Sequence, residues 1–97
     1  MQNQTPEIII ENIESLDVIL KNIISIDVLL RQGNVVSAYR QGVQTTDLLK
    51  NTDYIKILNR SLLRIRKGEQ IDALNDLKSL FDIIKKEKKN ILIAALM

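Results

Sequence analysis

The sequence predicts an all-α fold: an antiparallel four-helix arrangement in one domain spanning residues 1–97, a long first helix followed by three shorter ones. Three observations predict it. Apolar residues recur at helical spacing, no segment sustains the strict alternation of a strand, and Gly33 and Gly68 interrupt the pattern where helices would end. Composition agrees, since 45% hydrophobic and 27% charged residues in a chain of 97 is the balance of a folded domain with a single core.

The first helix is expected from about Pro6 to Arg31. Thr5 offers a hydroxyl N-cap, Pro6 takes the first position where its missing N–H costs nothing, and Glu7 faces the positive end of the helix dipole. Ile9, Ile13, Leu16, Leu20, Ile23 and Leu30 follow at spacings of four and three, with Asp27 interrupting, which makes a heptad seam. Ile10, Ile19, Ile24, Ile26 and Val28 lie outside that seam. The apolar surface is therefore wider than one neighbouring helix covers. Asp27 either sets register and oligomeric state or marks where the face reaches solvent, and the sequence leaves both open.

The second helix is expected from Asn34 to Lys50, with Val35, Val36, Tyr39, Val43, Leu48 and Leu49 as candidate buried positions. Gly42, Thr45 and Thr46 make it the weakest helix former of the four. Asn51, Thr52 and Asp53 supply capping groups for a third helix running to about Lys67, with Ile55, Leu58, Leu62 and Ile65 as its apolar face. After Gly68, a fourth helix from about Gln70 buries Ile71, Leu74, Leu77, Leu80, Phe81 and Ile84 and reaches the lysines near Lys85.

The two glycines stand 35 residues apart, and that offset aligns more than glycine. Leu30-Arg31-Gln32-Gly33 matches Ile65-Arg66-Lys67-Gly68, Val36 matches Ile71, Ala38 matches Ala73, and Leu48-Leu49-Lys50 matches Ile83-Ile84-Lys85. A duplicated helical hairpin is implied. The segment from Arg66 to Leu74, with Gly68 at the bend and Ala73 where packing is close, resembles the inter-helix turn of the tetratricopeptide repeat family. Leu77, Leu80 and Ile83 continue the likeness, while Asn22 and Ile57 stand at its aromatic position and the terminal proline is missing from both copies. The resemblance covers about two thirds of the chain and implies a peptide-binding or assembly scaffold, not an enzyme.

Residue usage narrows the chemistry. The chain holds no Cys and no His, which removes thiolate metal sites, the commonest general base and the physiological pH switch. Catalysis would fall to Asp, Glu, Lys, Ser, Thr or Tyr, and no catalytic, cofactor or metal site is expected. Glu7, Glu11 and Glu14 on the first helix, and Asp72 and Asp76 on the fourth, read as surface charge, since no calcium loop or Glu-x-x-His pair accompanies them. None of the three glycines belongs to a phosphate-binding loop. The N-terminal run lacks the basic start of a secretory signal and no stretch reaches the roughly 20 apolar residues of a membrane span. Cytoplasmic residence is expected.

Two surfaces stand out. Lys56, Arg60, Arg64 and Lys67 fall at spacings of four, four and three on the third helix, forming a basic face that would track a polyanion or else be a solvated face tied to acidic residues of the first and fourth helices. Lys85, Lys86, Lys88 and Lys89 precede the apolar tail from Ile91 to Met97. That pairing suits an anionic membrane surface, or more simply a fourth helix extended to the terminus and packed on the first helix or a second subunit. The leading expectation is a non-enzymatic interaction module, a homo-oligomer or else a binder of a partner helix, through Ile9, Ile13, Leu16, Leu20, Ile23, Leu30, Ile91, Ile93 and Leu96. The alternative is a small nucleic-acid-binding factor using the basic face.

Overall fold

In the computed structural model, which describes residues 6–97, four helices follow in order: α1 (Pro6–Arg31), α2 (Val35–Leu49), α3 (Tyr54–Arg66) and α4 (Gln70–Leu96). No strand occurs among the described residues. The Thr5 cap expected for α1 lies outside them. α1 packs on α2 and α4, and α3 packs on the same two, so the helices close as an up-down-up-down bundle around one core. Ile23, Ile26, Leu30, Leu49, Leu58, Leu77, Leu80 and Ile84 are its fully buried large apolar side chains.

The glycine turns are the same structure twice. Gly33 has φ of 81° and Gly68 of 78°, the left-handed region in which a Cβ is strained. Around the first, Gly33 N–H bonds to Leu30 O at 3.1 Å and Asn34 N–H to Leu29 O at 2.9 Å; around the second, Gly68 N–H bonds to Ile65 O at 3.1 Å and Glu69 N–H to Arg64 O at 2.9 Å. Both are Schellman motifs. The following residues, Asn34 and Glu69, share ψ of 66°, and Ala38 and Ala73 are each completely buried. The offset seen in the sequence is thus an offset in backbone geometry. Gly33→Ala and Gly68→Ala are expected to lower stability equally, by about 1 kcal/mol each, read as matching drops in the urea midpoint.

α2 turns a different face inward from the one its hydropathy suggests. Val35, Val36, Val43 and Leu48 are exposed, Tyr39 is half-buried, and the buried row is Ala38, Gly42, Thr45 and Leu49, spaced four, three and four. These small residues let the helices close up: a Cβ built at Gly42 would run into Leu62 Cδ2. Thr45 and Ser61 are buried at no polar loss, because each hydroxyl donates to a carbonyl one turn earlier, Gln41 O at 2.7 Å and Ile57 O at 3.0 Å. Asp53, expected among the caps of α3, makes no side-chain cap bond, and the Thr52 hydroxyl instead donates to Leu49 O at the end of α2, at 2.8 Å.

α4 is not one of the shorter helices. It runs 27 residues, against 26 for α1, 15 for α2 and 13 for α3. The tail from Ile91 continues the helix to Leu96, whereas Ile71, expected in the core, is 75% exposed in its first turn. Because α2 ends at Leu49 and α3 begins at Tyr54 short of that level, the start of α1 and the end of α4 project beyond them as a two-helix overhang, at the pole opposite Gly33 and Gly68. The Lys88 ammonium reaches Asp17 Oδ1 at 2.7 Å across it.

Candidate interaction surface

Of the basic face on α3, two members are already engaged. Arg60 donates from Nε to Asp76 Oδ2 at 3.1 Å and from Nη2 to Oδ1 at 2.9 Å, and Arg64 donates from Nη1 to Oδ2 at 2.8 Å. Asp76, read from sequence as surface charge, is a buried residue of α4 that clamps α3. Charge-assisted, bidentate pairing of this kind explains how a carboxylate sits beside the core. Lys56 and Lys67, at the two ends of the row, are exposed. Asp72 is exposed too, so the two aspartates of α4 face different surroundings. Among the described residues no three acidic groups converge as a metal site would, and no helix is long and apolar enough to cross a membrane.

The α1 seam keeps the heptad phase at Leu20, Ile23 and Leu30 and is widened on one side by Ile19 and Ile26. Ile19, Leu20, Ile23, Ile26 and Leu30 are buried, so Ile26 fills the core position and Asp27 lies beside it, half-exposed and paired with Arg31 Nε at 2.6 Å. Asp27 therefore marks the edge of the buried face. Leu20, Ile23 and Leu30 belong to the chain's own core and leave the candidate interaction set, because α2 and α4 close over them. Ile9, Ile13, Leu16 and Ile91 are half-buried along the overhang, while Ile93 and Leu96 are exposed.

The structure adds members the heptad reading passed over. Ile10 is 55% exposed, Ile24 49%, Val28 44% and Leu92 42%, while Leu96, already in the expected set, reaches 88%. Ile10, Asp17, Ile24 and Val28 recur at spacings of seven, seven and four, which places them in one row on the outer side of α1. On α4, Lys78, Lys85 and Leu92 recur at seven, with Lys89 and Leu96 beside them. Between the rows runs a groove on the side of the bundle away from α2 and α3. One depression of about 210 Å³ is bounded by Ile24, Asp27, Leu77, Lys78 and Phe81. A larger one of about 850 Å³ is bounded by Leu20, Phe81, Lys85, Lys88, Lys89 and Leu92. Lys85 Nζ stands 5.9 Å from the centre of the Phe81 ring, a cation–π contact on the α4 lip. At the far side of α4, burial chiefly, then Glu87 and Asp53, push the Tyr54 hydroxyl above its usual pKa. It stays protonated near neutrality.

The chain matches no protein-family model, no curated protein and no solved structure.

Proposed function

We propose that this chain is a non-enzymatic helical interaction module that assembles with itself through α1 and α4. The observation that supports this is the uncovered apolar surface of the overhang and the adjoining groove, carried by Ile10, Ile24, Leu92 and Leu96. Bundles with one core rarely leave so many large aliphatic side chains together in water, and contact with another protein removes that cost. The repeated hairpin is consistent with a scaffold whose parts serve packing. A polyanion-binding role would have to rest on Lys56 and Lys67, since Arg60 and Arg64 are held by Asp76.

Sedimentation over a dilution series is the test. The expected result is an oligomer that dissociates on dilution, together with an Ile24→Glu/Leu92→Glu variant that stays monomeric while keeping its helical circular dichroism. Association is expected to weaken by about a hundredfold or more, from losing two aliphatic contacts. A wild-type chain that is monomeric at every concentration overturns the proposal.

A further inference from the structure

We infer that the partner is a second copy docked face to face on the α1/α4 groove, with the twofold axis parallel to the bundle so that each α1 lies against the partner's α4. This rests on the self-association reading above and specifies its geometry. A symmetric pair must be self-complementary, and only two twofold axes lie in the plane of this groove along its principal directions. One parallel to the helices stacks α1 on α4 with like poles together. One perpendicular to them stacks α1 on α1 and α4 on α4 with the poles reversed.

Charge decides between them. Residues 9–20 of α1 carry three carboxylates and no cation, while residues 82–96 of α4 carry four lysines and two carboxylates. Both stretches lie at the overhang pole, in the register fixed by the Asp17–Lys88 pair. The parallel axis therefore sets acidic α1 against basic α4 twice over, and the perpendicular axis forgoes that pairing. Charged rims of this kind select orientation more than they add affinity. Apolar coverage points the same way: the parallel axis lays the two overhangs side by side, so Ile10, Leu92 and Leu96 of each copy are covered by the other's. Reversed poles would lay each overhang over the glycine-turn end, where the lips are Val28, Arg31 and Lys78.

The natural absence of cysteine makes a direct test clean. Val28 and Lys78 are exposed on opposite lips near the same level of the bundle, by the Gln70–Leu30 bond at 2.9 Å and the Asp17–Lys88 pair that fix the α1/α4 register. Chains carrying Val28→Cys and chains carrying Lys78→Cys are mixed and oxidised, and the expected product is the mixed disulfide; reversed poles would set each Val28 against the partner's overhang and give none. In parallel, Glu14→Lys/Asp17→Lys and Lys85→Glu/Lys89→Glu are each expected to weaken their own association about tenfold, with an equimolar mixture recovering wild-type affinity. A wild-type monomer overturns both this inference and the reading beneath it. A wild-type dimer that gives no mixed disulfide, or no recovery on mixing, overturns the geometry alone.

Discussion

Truncating Arg60 and Arg64 together to alanine is expected to lower the unfolding free energy by about 2–4 kcal/mol, because it strands the Asp76 carboxylate beside the core. The asymmetry of exposure sets the magnitude. Asp76 shows only 6% of its side chain to solvent, whereas Arg60 shows 54% and Arg64 33%, so the loss falls on the aspartate and is eased where water can replace the exposed guanidiniums. Adding Asp76→Leu to the double variant is expected to recover most of the loss, since an apolar side chain needs no partner there. Urea denaturation of the three proteins checks it, and a triple variant as weak as the double would show that the cluster does more than neutralise one buried charge. The same result bears on function: charge reversal at Arg60 and Arg64 would damage the fold before it reported on any polyanion, so Lys56 and Lys67 are the positions to reverse.

Leu58→Ala is expected to cost about 3 kcal/mol, the transfer of a fully buried leucine plus the cavity it leaves. In a domain of this size that corresponds to a fall in melting temperature of roughly 15 °C. Leu63→Ala, five residues along the same helix but about half exposed, is expected to change stability by less than about 1 kcal/mol. Thermal melts of the two separate the inner and outer faces of α3, and equal losses would mean the exposed side of α3 is also buried, by another copy.

The fold was largely legible because its signals are local. Helical spacing, Pro6 at a start and glycine after each of α1 and α3 place the helices without reference to their neighbours. What escaped was which face turned inward where the chemistry is quiet. Hydropathy ranks Val36 and Val43 above Gly42 and Thr45, yet close helix packing prefers the smaller pair, and nothing short of a packed neighbour reveals that. On α1 the heptad was right at Leu20, Ile23 and Leu30, but the buried face is wider than the seam, so that Ile26 fills the core beside the place the heptad gave to Asp27. Asp76 did leave a trace: it lies three residues after Ala73 and four before Leu80, a core phase for a charged residue, with two arginines a turn apart on the preceding helix. The candidate interaction surface was legible as a surplus of aliphatic residues on α1 and the tail. Its location was not, because a surplus acquires a place only once α2 and α3 are seen to stop short.

Four antiparallel helices also bring the N-terminal end of α1 and the C-terminal end of α4 to one pole. In the paired arrangement proposed above, the end of one copy and the start of the other emerge side by side. A short flexible tether between them would convert two chains into one continuous eight-helix protein, with the second half held at an effective concentration near the millimolar range. Domains grafted to either end would likewise be gathered at that pole, leaving the two glycine turns clear at the other.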